Sequence, residues 1–137
     1  VRPAEGEAEG AEGVVFGTAR RFGSRTAELK AYIDSLGGLW CRGALAGKAG
    51  AEFASTSTMH GGNEMTITAL YAPMAHLGLI LVPTGYADPA LFKAGTPYGA
   101  SAVSGTSGAL PNADDLEVAR FQGRRVARVA AALKTLR

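Results

Sequence analysis

Gly17-Thr18-Ala19-Arg20-Arg21-Phe22-Gly23 and Ser55-Thr56-Ser57-Thr58-Met59-His60-Gly61-Gly62-Asn63-Glu64 each follow an apolar run and precede a helical pattern. Strand, polar glycine-bearing loop, helix is the order of a ligand site in an open α/β sheet. There, backbone N–H groups and helix N-termini gather outside the carboxyl ends of the strands. Both loops are therefore expected at one sheet edge, facing a polar or anionic ligand.

The flanking segments support that reading. Val14-Val15-Phe16 is a short apolar strand. Ser24 is placed to cap a helix with Leu29, Ile33 and Leu36 as its inner stripe, stopped by Gly37-Gly38. A second strand falls within 47–54, with Phe53 its strongest apolar member. Ile67, Leu70, Met74 and Leu77 repeat at helical spacing, interrupted by Pro73, which removes one backbone bond. Leu79 to Val82 reads as a third strand, followed by a long irregular region over 86–111. The last helix opens at Asn112, carries acids in its first turns and bases in its last, and has Leu116, Ala119, Gly123, Val126, Ala130 and Leu133 as its expected inner stripe. Apolar strands alternating with helices predict a parallel sheet covered on both faces. Residues 1–13, in which Ala-Glu-Gly recurs, read as a linker or the remnant of a preceding segment, and 14–137 as one domain portion.

The chain has 137 residues, 47% of them hydrophobic and 19% charged, a composition suited to one globular core. A formal charge of +2 leaves no polyanion footprint, so nucleic acid is not an expected partner. The single Cys41 provides neither a disulfide nor a cysteine-based zinc cluster. No apolar run is long enough for an integral membrane segment, and a cytoplasmic location is expected.

Several residues admit two readings. Arg20, Arg21 and Phe22 could hold a planar polar ring by backbone amides, a guanidinium and an aromatic wall, or form a solvated turn. Ser55, Thr56, Ser57 and Thr58 with Gly61 and Gly62 suit hydrogen bonding to carbonyl, hydroxyl or imide groups. Trp40 alone reads as a core or loop aromatic, and His76 as a helix-terminal hydrogen-bonding group. The row Arg120, Arg124, Arg125 and Arg128 reads as a solvated face or a subunit contact. His60 and His76 lack partners at ligand spacing, so no metal site is expected. Neither a Walker motif nor a Gly-x-Ser-x-Gly elbow occurs, which leaves nucleophilic hydrolysis unsupported.

Six ordered motifs then carry a resemblance. Phe16-Gly17-Thr18-x-x-Arg21-Phe22-Gly23, Gly37-Gly38-Leu39-Trp40, Gly61-Gly62-Asn63-Glu64, Ala75-His76-x-Gly78, Val82-Pro83-x-Gly85-Tyr86 and Gly95-Thr96-Pro97-Tyr98-Gly99-Ala100 resemble the WrbA family of flavodoxin-like NAD(P)H:quinone oxidoreductases, from about Glu12 onward. The resemblance implies a flavodoxin-like three-layer αβα fold represented by its strands 3–5 and helices 3–5. It also implies bound FMN, two-electron transfer from NAD(P)H to a quinone, and a homotetramer with active sites near subunit contacts. Catalytic side chains are not expected, because the flavin carries the hydride.

By the same resemblance, Arg20, Arg21 and Phe22 lie beside the flavin ring, and Ser55, Thr56, Ser57, Thr58, Gly61 and Gly62 hold its polar edge and ribityl chain. His76 contacts FMN, and Trp40 walls the substrate pocket. Ala19 and Arg20 replace the family's usual Pro and Thr. The family's first Ser/Thr/Gly-rich turn, which binds the FMN phosphate, has no counterpart. A one-electron flavodoxin-type carrier or a flavin-free scaffold is the alternative reading.

Overall fold

The computed structural model describes residues 4–136, so the part of the linker-or-remnant reading that falls on residues 1–3 lies outside them. In chain order the elements are α1 (Glu5–Gly10), β1 (Gly13–Ala19), α2 (Ala27–Ser35), α3 (Gly37–Cys41), β2 (Ala49–Thr56), α4 (Asn63–His76), β3 (Ile80–Leu81), a 3-10 turn (Pro89–Phe92), β4 (Ala100–Val103) and α5 (Ala113–Lys134). Every strand pairing is parallel. β2 is central, with β1 on one side and both β3 and β4 on the other.

The two sheet faces follow from the alternation of β2. Ala49 and Ala51 pack against Val126 and Ala130 of α5. The opposite face belongs to the larger cluster, which includes Phe16, Ile33, Leu36, Leu45, Leu70 and Met74. Helices α2 to α4 therefore cover one face and α5 the other, the layering of a flavodoxin-like sheet. The predicted stripe Ile67, Leu70, Met74 and Leu77 is buried throughout. Pro73 cannot donate to Ala69 O, and Arg25 Nη1 donates to that carbonyl at 3.4 Å instead.

Three expectations are corrected by the coordinates. Thr26, not Ser24, caps α2 by accepting from Leu29 N, because Ser24 is drawn into a bridge with Arg21. As expected, α2 stops at Ser35 just ahead of Gly37-Gly38, and these glycines open the short α3 that carries Trp40. The stripe of α5 is rotated: Val118, Gln122, Val126 and Ala130 are buried, whereas Leu116, Ala119 and Gly123 are exposed. Residues 4–13 include a helix whose Ala8 is buried in the main cluster. Lys48 Nζ donates to the Ala8 and Glu9 carbonyls at the end of that helix, and Arg42 and Lys134 pair with Glu9 and Glu12.

The remaining correction concerns the third strand. It is split into β3 and β4, collinear along the edge of β2, with residues 83–99 looped out between them. Ile80 N and Val82 N donate to Lys48 O and Gly50 O, and Ser104 N donates to Thr56 O. At the break, Gln122 Nε2 donates to Glu52 O at 2.7 Å and Gln122 Oε1 accepts from Ala100 N at 2.9 Å. One side-chain amide thus replaces the peptide unit that a continuous strand would have supplied, and this role turns α5 to bury Gln122.

Candidate functional site

Three loops meet at the carboxyl edge of the sheet. The first leaves β1 through Arg20, whose N–H donates to Ser55 O at 3.0 Å. Arg21 and Ser24 then exchange backbone bonds at 2.8 and 3.0 Å, closing a two-residue turn over Phe22 and Gly23. Both central residues have positive φ, 49° for Phe22 and 79° for Gly23. Such a turn suits glycine at both positions, so Phe22 occupies a backbone state that costs an L-residue about 1 kcal/mol or more. Its ring stands fully exposed at the tip. Strain of this kind points to use of the side chain at the rim.

The second loop leaves β2 at Thr56, whose Oγ1 donates to Thr58 O at 2.9 Å, while Gly61 N donates to the same carbonyl. Gly62 takes φ 89° and ends the loop at the start of α4, where no side chain caps the helix. The positive end of a fourteen-residue helix is consequently left facing the loops. The third loop, Ser104 to Gly108, follows β4, and Ser104 Oγ donates to Thr56 O. It falls inside the long 86–111 region noted in the sequence, but was not isolated there because Ala100 to Val103 is a four-residue strand without a strong apolar run.

At the junction of the first two loops lie two buried polar atoms with no hydrogen-bond partner, Arg20 Nε and Asn63 Oδ1. A Cβ on Gly62 would stand 3.5 Å from Arg20 Nε, so this glycine leaves the guanidinium its room. One orphan is a donor and the other an acceptor. That pairing fits the imide edge of a flavin ring, which offers carbonyl acceptors beside an N–H donor. The exposed Met65 is a further neighbour, its Sδ 3.3 Å from a Cβ built on Gly23.

Thus the structure brings Arg20, Arg21 and Phe22 together with Ser55, Thr56, Ser57, Thr58, Gly61 and Gly62. Trp40 and His76 are elsewhere. They line a groove of about 390 Å³ with Ile33, Pro73 and Leu77. His76 is the last residue of α4, some 20 Å along that helix from Gly62. Trp40 is 56% exposed, so it is not a core residue.

A second chemically unusual group lies on β2, three residues before Ser55. Glu52 is 1% exposed with both carboxylate oxygens unpartnered, and burial pushes its pKa up to about 8. Tyr71, whose hydroxyl donates to Tyr98 O, is pushed up to about 12 by burial and then by Glu52 and Tyr98. In contrast, Glu28 in the first turn of α2 is held below its usual value by its backbone N–H and by Thr26. No cluster of metal-ligating side chains occurs among the described residues, and none of their helices is long and apolar enough to cross a membrane.

A family model for NADPH-dependent FMN reductases matches residues 1–90, which include the first two loops. The chain belongs to that family. Among solved structures, it is similar to the flavodoxin, WrbA-like protein from Agrobacterium tumefaciens, with TM-score 0.75 and 23% identity over 93% of this chain and 71% of that one. An oxidoreductase from Corynebacterium diphtheriae gives TM-score 0.61 and 16% identity, over 96% of this chain and 60% of that one. These likenesses establish the flavodoxin-like fold. Membership of the FMN reductase family makes FMN the cofactor, and the two orphaned atoms fit its ring.

Proposed function

We propose that this chain is the ring-holding portion of an FMN-dependent NAD(P)H:quinone oxidoreductase. The observation that carries the reading is the pair of unsatisfied buried atoms, Arg20 Nε and Asn63 Oδ1, set between two glycine-bearing loops at the uncapped start of α4. Bound FMN supplies two-electron hydride chemistry between the nicotinamide and the quinone. The chain's own residues bind and orient. Arg20 and Asn63 satisfy the polar edge of the ring, Ser55 to Thr58 and Gly62 contribute loop contacts, and Phe22 walls the open side. The helix start favours negative charge developing beside it.

Trp40 and His76 enter this proposal through assembly. Both are exposed and lie away from the three loops, so any contact they make with flavin or quinone is with a site on another copy. A homotetramer with sites near subunit contacts accommodates that arrangement. A cytoplasmic location is part of the same reading.

The test is NADPH consumption with saturating FMN and a benzoquinone acceptor, followed by absorbance. Quinone-dependent turnover that falls in Arg20→Ala supports the proposal. Absence of quinone-dependent turnover overturns it.

A further inference from the structure

Local structure favours glycine, a small polar turn residue and an acid at three positions around the first two loops, and the chain places a large apolar side chain at each. Phe22 stands at φ 49° in the turn that Arg21 and Ser24 close, a state suited to glycine. Met59 is the first central residue of the turn that Gly61 N closes on Thr58 O, where proline or a small polar residue is the usual choice. Met65 is the third residue of α4, the place of an acid or amide that would reach back to the uncapped helix start. Burial explains none of the three: Phe22 is fully exposed, Met59 77% and Met65 64%. The third methionine of the chain, Met74, is wholly buried, so both methionines that reach solvent stand on this rim.

The rim is continuous with the site. A Cβ on Gly23 would lie 3.3 Å from Met65 Sδ, so Met65 reaches from α4 to the turn that carries Phe22. A Cβ on Gly62 would meet Met65 Cβ at 3.9 Å and Arg20 Nε at 3.5 Å, which sets Met65 beside the orphaned donor. The floor between the loops is therefore polar, with Arg20 Nε and Asn63 Oδ1 unpartnered, and its rim is apolar. Exposed apolar groups around a concave polar site are covered when the ligand binds. Methionine's flexible thioether chain suits a partner that is itself a flexible chain. A second copy seated on the same rim would shut the opening between the loops, which favours a small molecule as the occupant.

We propose that the quinone used by this site bears a long apolar side chain, its polar ring directed between the loops and its chain lying across Phe22, Met59 and Met65. This inference rests on the quinone reductase reading and names the substrate class of that site.

The test compares dimethoxy-methyl-benzoquinone with and without a decyl chain as acceptors for the FMN-loaded protein, in the parent and in a Met59→Ser, Met65→Gln double variant. Both substitutions fall at exposed positions, and Gln suits the third residue of a helix, so thermal melts should match the parent. In the parent, kcat/KM should favour the decyl quinone by about tenfold, the effect of roughly two methylenes of apolar contact, and the variant should lose most of that preference. Calorimetry of decyl quinone binding gives a second readout, a negative heat-capacity change that shrinks in the variant. Turnover of both quinones without a chain preference, or a preference unchanged in the variant, would overturn the inference and leave the quinone reading standing. Turnover of neither quinone would sink both. A variant that loses self-association in sedimentation but keeps its chain preference would assign the rim to a subunit contact instead.

Discussion

Phe22 shows how one residue can be costly to the fold and useful to the site. Its φ of 49° belongs to a position that glycine fills without strain. Phe22→Gly should therefore leave the chain as stable or raise stability by up to about 1 kcal/mol, while weakening flavin or nicotinamide binding several-fold. Urea melts and flavin fluorescence titration separate the two effects, and a destabilised variant with unchanged binding would return Phe22 to a structural role. Glu52 presents the opposite case, a cost without a visible benefit. Its folded pKa of about 8 lies above the 4.5 of an unperturbed Glu. The associated stability is fully present below pH 4.5 and is lost as pH rises toward 8. Glu52→Gln should thus match the parent near pH 4 and exceed it at pH 9, by on the order of a few kcal/mol. Parallel stability profiles for the two proteins would refute the buried-acid account. Neither Phe22's backbone state nor Glu52's isolation was legible in the sequence, because both arise from tertiary placement.

At the scale of elements, the split third strand separates what local pattern reveals from what it hides. The existence of helices α2, α4 and α5 was legible because each carries either apolar spacing over several turns, as with Ile67, Leu70, Met74 and Leu77, or a capping residue such as Asn112, even though the cap of α2 and the buried stripe of α5 fall elsewhere than expected. β4 was hidden since Ala-Ser-Ala-Val has little intrinsic strand character and is held by its pairing with β2. The rotation of α5 had the same origin: Gln122 is buried for its amide, which no hydrophobic stripe encodes. Gln122→Leu should leave Glu52 O and Ala100 N buried without partners and cost about 2–4 kcal/mol. Chemical denaturation would measure this loss, and one below about 0.5 kcal/mol would show that the strand break needs no bridge. The ladder near Phe53 and Ala100 should also lose protection in hydrogen exchange.

For the whole molecule, the two loops quoted from the sequence do share one edge, since each ends a parallel strand. The separation of Trp40 and His76 from them was not legible, because it depends on how α3 packs beside the far end of α4. Trp40→Ala and His76→Ala, both at exposed positions, should leave the melting temperature within a few degrees of the parent. Any effect on quinone turnover should depend on the oligomeric state, as read by analytical ultracentrifugation alongside activity. Melting losses of more than about 10 °C would assign both residues to the fold instead.

Flavin titration tests the central claim most directly, namely that the Arg20–Phe22 and Ser55–Gly62 loops hold the ring while the described loops make no phosphate cradle. Fluorescence of FMN and riboflavin should be titrated with the parent chain and with Arg20→Ala. The account predicts similar affinities for the two flavins and a loss of about tenfold or more for both in the variant, as expected when a charged hydrogen bond is removed. Tight binding that strongly prefers FMN, or binding indifferent to Arg20, would contradict it.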